Sequence, residues 1–444
     1  MRPPSGARAA LPAQLGYAFV LLGLLVVAGV FNPAFNDFLG TRAASYTEAN
    51  PARLAVTSAI YGVALALAVL RWRRTSLVLA AHPLVVAATL LPLLSLLWSV
   101  DPDTTLRRAS AHVLTGAFCI YLASTVSLDD LFRRLTLTFL IGAILSLIYV
   151  ALAPEAAVHA WGGLKGSWRG VYGHKNELGQ AASIGVIVAL FAVDRTRPDL
   201  CIRLAALGLS VALLVMSRSV TSLLVVVSLA VVIPTGFLLQ NRQFSPGVRL
   251  LFLALLVLIG VWIASQGASL ALETLGRDLS FSGRTTLWQG VSDVVADRFP
   301  LLGAGYGAFF TPSGGVDDLA PYLTHWGGVP NHAHSGFVDT RANLGWPGVV
   351  LLWGLILTSL YRVIDILIRR RAPRAWVGVL AFQVLFLINN FSESSAFRHT
   401  DLVCMLFLIL ACQAAPAQVP APASVRRRIP SLAAAARRPG SEAA

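Results

Sequence analysis

His332 and His334 stand two residues apart in "PNHAHSGFVD", residues 330–339. Imidazole is the natural general base near neutral pH, so either ring could take a proton from a hydroxyl. A His-x-His pair can also ligate a metal. Positions i and i+2 in a loop supply at most two ligands, however, and no third or fourth follows at a recognisable spacing. The plain alternative is a pair of loop histidines with no chemical task.

A second group is cationic: Lys165, Arg169, Lys175, Arg218, Arg277 and Arg284. Lys165 and Lys175 are the only lysines in the chain, and the latter lies in "GVYGHKNELG" beside His174, Asn176 and Glu177. Arg218 stands in "MSRSVTS", between two apolar runs with almost no loop. An ionisable group there points to anion binding, and the guanidinium fork suits phosphate oxygens. The plainer reading is an arginine snorkelling at a tight turn. Asp101 and Asp103 in "WSVDPDTTLRR" have the spacing of a metal-holding DxD pair, but acids at a helix start fit them better. Asp317 and Asp318 read the same way. No Walker loop or dinucleotide fingerprint occurs, so neither ATP nor NAD is implied.

The elements that must position these residues are membrane helices. The 444 residues are 56% hydrophobic and 13% charged, against about 25% charged in a soluble domain. Long uncharged apolar runs recur, and alternating barrel-type segments do not. The pattern predicts an all-α, polytopic bundle of about twelve spans: 15–31, 54–70, 77–98, 109–126, 135–153, 179–193, 201–216, 220–239, 249–265, 336–361, 375–391 and 401–415. The first run reads as a signal anchor, not a cleaved leader. Most of the 35 basic residues fall on the side shared by both termini, so both termini are expected in the cytoplasm. The net charge of +14 belongs to this topology and to anionic headgroups, not to nucleic acid. The four cysteines lie in or beside apolar runs and read as small buried hydrophobes. Residues 1–415 form the membrane domain. Residues 416–444, rich in Ala, Pro and Arg, are expected to be a disordered cytoplasmic tail. No internal repeat suggests the inverted halves of a transporter.

Three connections on the outer side are longer than turns: 32–53, 154–178 and 266–335, the last lying between spans nine and ten. It contains "GRTTLWQGVSDVVADRF", where Leu287, Val291, Val294 and Val295 repeat at helical spacing on one side. Its aromatic content argues for folded structure.

The order of motifs resembles the O-antigen ligase and Wzy polymerase superfamily. "LLSLLWSVDPDTTLRRA", "GVYGHKNELGQ", "SRSVTSLL", "SGRTTLW…FPLLGAGYGAFF" and "NHAHSGFVDTRANLGWPGVVLL" follow one another from about residue 90 to 360. The "GHKN" stretch is most similar to the ExoQ-like exopolysaccharide polymerases. The resemblance implies a glycosyltransferase of the bacterial inner membrane that needs no cofactor or metal. Its substrates would be sugar chains on undecaprenyl diphosphate, and its partners chain-length-regulating and export proteins. It also implies an outer-face histidine as base. Position favours His334 over His332, although Ser335 stands where the family usually has Asn. Arg218 and Arg284 match the arginines that grip the diphosphate. Lys175, Arg169, His174, Asn176 and His332 are expected to line the same substrate site. A ligase that moves finished glycan to lipid A core or protein is the nearest alternative, and a flippase for lipid-linked glycan is the alternative of another class.

Overall fold

The computed structural model describes residues 5–35, 50–160, 162–255, 283–323, 330–369 and 372–414. The basic tail and the start of the 266–335 segment lie outside the described residues, as does Arg277. Helices carry the described chain. They are α1 (Ser5–Val27), α2 (Pro51–Leu70), α3 (Trp72–Ala81), α4 (Pro83–Leu94), α5 (Pro102–Thr125), α6 (Leu128–Leu152), α7 (Lys175–Phe191), α8 (Arg197–Ser217), α9 (Val220–Gln240), α10 (Pro246–Leu255), α11 (Arg284–Arg298), α12 (Gly336–Arg369), α13 (Ala375–Ser392) and α14 (Leu402–Gln413).

Among the described residues six helices are long and apolar enough to cross a bilayer: α2, α6, α8, α9, α12 and α13. The bent pair α3 and α4 would make a seventh. The run at 249–265 lies largely outside the described residues, and the other remaining runs of the twelve read from the sequence form shorter or more polar helices. The run at 77–98 bends by 92° between Ala81 and Pro83, where proline cannot continue the hydrogen-bond ladder. The run at 401–415 forms α14, 12 residues that would extend about 18 Å, short of a hydrocarbon core of about 30 Å. From Leu402 to Cys412 every residue of α14 is buried, so its uniform apolarity reflects a central helix wrapped on all sides. The run at 336–361 is interrupted at Gly345, whose φ of 63° no L-residue adopts easily, two positions before Pro347.

Around α14 the bundle closes through α5 and α13, with α7 packed on α6 and α8, α9 on α13, and α12 on α4. Apolar side chains such as Val69, Leu224 and Val227 point outward from α2 and α9, as expected of faces in contact with lipid. One set of helix ends is held by ion pairs: Arg133 to Asp199 at 2.8 Å, Arg195 to Asp130 at 3.0 Å and Arg203 to Asp194 at 2.9 Å. The opposite ends carry the histidines and the cations of interest.

There, residues from 283–323 and 330–342 build a small core of their own. Leu287, Val291, Val294 and Val295 on one side of α11 pack with Phe309, Leu319 and Ala342, as the spacing of the apolar residues predicts. This core is stitched to the bundle by backbone. Ala304 and Gly305 donate to the carbonyls of Ala342 and Asn343 at 2.9 and 3.0 Å, and Val100 donates to Ala304 at 3.0 Å.

Candidate functional site

The opening of α12 is built around a close approach. A Cβ on Gly336 would come within 1.9 Å of the Asn390 side-chain oxygen, so only glycine fits. Asn390 accepts the amides of Ser395 and Ala396 at 3.2 and 2.7 Å, and its amide group donates to Phe386. It thereby folds the short connection after α13 into a tight loop. The Glu393 amide donates to Asn389 at 2.7 Å and its carbonyl accepts the Gly336 amide at 3.0 Å. Those bonds fix Glu393 against the start of α12.

Glu393 is where the expected residues meet. Its Oε1 accepts from Asn176 Nδ2 at 2.6 Å and from Arg284 Nη2 at 3.2 Å. Its Oε2 lies 3.7 Å from His334 Nδ1. A second Arg284 nitrogen donates to the Ser392 carbonyl. The side chains of Arg284, Glu393 and His334 are 18%, 19% and 25% exposed, so the cluster is recessed yet open to solvent. His334 has a φ of 51°, a left-handed conformation uncommon outside glycine. Its amide donates to His332 Nδ1 at 3.1 Å, and the two rings lie 4.0 Å apart. That bond occupies one lone pair of His332. Among the described residues no three His, Cys, Asp or Glu side chains converge as metal ligands.

On the neighbouring side, His174 caps α7. Its Nδ1 accepts the Asn176 amide at 3.2 Å. The Asn176 side chain reaches Glu393. Glu177 accepts the Gly173 amide at 3.0 Å. Lys175 donates through Nζ to the Arg218 carbonyl at 3.2 Å, and its amide donates to His159 Nε2 at 3.2 Å. Arg218 ends α8 in a left-handed conformation, φ 50°, and its exposed guanidinium donates to the Lys165 carbonyl at 3.4 Å. Arg169 is turned the other way: its Nε donates to the Ala156 carbonyl at 2.6 Å and braces the loop.

Two groupings therefore emerge. Glu393 gathers Arg284, Asn176 and His334, with His332 and His174 alongside. Lys175, Arg218 and Lys165 form an adjoining cationic rim. Burial and the neighbouring cations together shift the groups around Glu393. Burial opposes ionisation of Glu393, yet contact with His334 and Arg284 pulls its carboxyl below the usual range. His332 is held well below its ordinary value, first by burial and then by Arg398, His334 and Arg284. His159 is pushed down to about 4 by burial, with His174, Arg169 and Lys175 adding to it. A site that keeps carboxylate charged and imidazoles neutral is suited to receive an anion.

Sequence reasoning missed Glu393. Its signal was present: an acid at the end of an apolar helix, after two asparagines, in a connection too short to attract notice. Asp101 and Asp103 behave as read, with Asp101 capping α5 through the Thr104 amide at 3.0 Å. Asp318 pairs with Arg298 at 2.5 Å.

Residues 205–353 match the family model described as O-Antigen ligase. The chain is also 28% identical over 391 residues to the exopolysaccharide production protein ExoQ of Rhizobium meliloti (strain 1021), an alignment covering 81% of this chain and 85% of that one.

Proposed function

Taking as premise that this chain is an O-antigen ligase- and ExoQ-like multi-pass membrane protein, we propose that it polymerises glycan repeats carried on undecaprenyl diphosphate. The observation that carries the reading is the convergence of His334, Arg284 and Asn176 on Glu393, beside the Lys175–Arg218 rim. One lipid-linked chain is the donor, and the far sugar of another lipid-linked repeat is the acceptor. His334 Nε2 takes the proton of the acceptor hydroxyl while Glu393 supports the imidazolium from the Nδ1 side. The oxygen attacks the donor's anomeric carbon, and the bond to the diphosphate breaks. Arg284, Arg218 and Lys175 stabilise the leaving charge where it develops. His332, His174 and Asn176 shape the site for sugar and diphosphate, and Arg169 braces the loop behind them. Because the donor is already activated, no nucleotide is consumed, and the cations stand in for a metal.

A topology with both termini in the cytoplasm of a bacterial inner membrane belongs to the same proposal, since it puts the cluster on the face where lipid-linked glycans are exposed. Chain-length-regulating and export proteins would be its partners. The match to the O-antigen ligase model supports a second reading, transfer of finished glycan to lipid A core or protein. A deletion strain separates the two. A polymerase defect leaves lipid-linked single repeats, whereas a ligase defect leaves long lipid-linked polymer.

A further inference from the structure

The same helix ends carry a second set of cations that the transfer step does not use. Arg108, on the first turns of α5, donates through Nη1 to the Gly307 carbonyl at 2.5 Å. The preceding residue, Tyr306, donates its hydroxyl to the Phe397 carbonyl at 2.5 Å and lies 3.3 Å from His399 Nδ1. Arg398, between those two, donates to the Ser394 carbonyl at 3.4 Å. Two guanidiniums, one on α5 and one on the loop after α13, are thus brought to a pair of loops stapled together by one tyrosine, with Arg107 exposed beside them.

The carboxylates that feel these arginines, Asp101, Asp339 and Asp401, are each held by hydrogen bonds of their own, Asp339 by the Ala333 amide at 2.8 Å. Asp101 accepts the Thr104 amide at 3.0 Å, and Asp401 accepts the Cys404 amide at 2.9 Å and the Ser395 hydroxyl at 3.3 Å. Among the described residues no ion pair engages Arg107, Arg108 or Arg398. His399 senses this surplus: burial, then Arg108 and other neighbours including Arg398 and Arg107, push it down to about 3. Ser394 ties the set to the transfer centre, because its hydroxyl accepts the Ser335 amide at 3.1 Å, next to His334.

Transfer between two lipid-linked chains brings two anionic headgroups to one protein at once. Crowding both onto a single cation set would oppose like charges at short range. We infer that Arg107, Arg108 and Arg398 bind the diphosphate headgroup of a second lipid-linked glycan, the acceptor, while Arg218 and Lys175 hold that of the donor. This rests on the polymerase reading. The acceptor's sugars then arch from their headgroup to His334, where the far end presents its hydroxyl.

The test counts undecaprenyl diphosphate bound to the purified full-length protein in detergent, by native mass spectrometry, without turnover. Two equivalents are expected for wild type. Arg108→Gln with Arg398→Gln should weaken one of them on the order of 10–100-fold, the effect of losing charge-assisted hydrogen bonds. The retained equivalent reports that the variant is folded. Arg107→Gln with Arg398→Gln changes two exposed side chains and should weaken the same equivalent. Arg218→Gln with Lys175→Gln should weaken the other. A single equivalent in wild type, or a second one untouched by both arginine pairs, overturns the inference. So does a second position filled by lipid A core and not by undecaprenyl diphosphate. Failure of chain extension with both equivalents bound would count against the polymerase reading alone.

Discussion

Asn176 and Glu393 lie 217 positions apart and meet at 2.6 Å, a bond that ties the Glu393 loop to the start of α7. An amide donor and a guanidinium share one carboxylate oxygen, which leaves the other facing His334. Glu393→Gln keeps the shape but removes the charge. Turnover with purified lipid-linked repeat should fall by about 10²-fold, comparable to loss of an acid–base contribution, with the protein still folded. Unchanged turnover would reduce Glu393 to a loop brace.

His334→Ala should abolish chain extension while insertion persists, a loss of about 10²–10⁴ in rate. His332→Ala should be milder, because the Nδ1 of that ring is engaged by the His334 amide. Both assays are run in EDTA, where wild type should remain active. A dead His332→Ala beside an active His334→Ala would reverse the assignment, and inactivation of wild type by EDTA would return the step to a metal.

Arg218→Lys keeps the charge and loses the fork, so activity should fall substantially. Lys175→Arg should be better tolerated, since Lys175 acts as a point charge. Full activity of Arg218→Ala would leave this residue as an interfacial anchor.

Reporter fusions after Ala320 should report the periplasm and fusions after Ala372 the cytoplasm. A cytoplasmic signal at Ala320 would strand the cluster on the wrong face for lipid-linked glycan.

His332 and His174 have depressed values in the folded protein, chiefly through burial. The unfolded chain therefore binds more protons than the folded one as pH falls below about 6.5, the ordinary histidine value. Stability should be fully present above that pH and decline below it. Thermal unfolding in detergent between pH 7.5 and 5 measures this, and His332→Asn should flatten the slope. A melting temperature that rises on acidification would contradict the depressed value.

Much of this was legible in the sequence because it depends on chemical type. Apolar runs announce helices, and the spacing of Leu287, Val291, Val294 and Val295 announces the buried side of α11. His334, Arg284 and Asn176 were singled out by type and by motif order, and they converge. What stayed hidden depends on where loops land. Nothing local marks Glu393 as the shared partner of three distant residues, or tells that Arg108 will reach Gly307. Hydropathy also cannot distinguish a helix that faces lipid from α14, which is apolar because protein surrounds it. Nor did the length of an apolar run reveal the bends at His82 and Gly345, which are decisions of individual proline and glycine residues.

The chain is synthesised from one end, and the carboxylate arrives late. Asn176, Arg218, Arg284 and His334 have all left the ribosome before Glu393 is made. Until then Arg284 and Asn176 have no shared anion to settle on, and the mouth between α7 and α11 has no floor. A nascent chain stopped before Ser392 would hold every residue that the sequence singles out and still lack the group that gathers them. Gathering of these side chains therefore waits on the connection that follows α13.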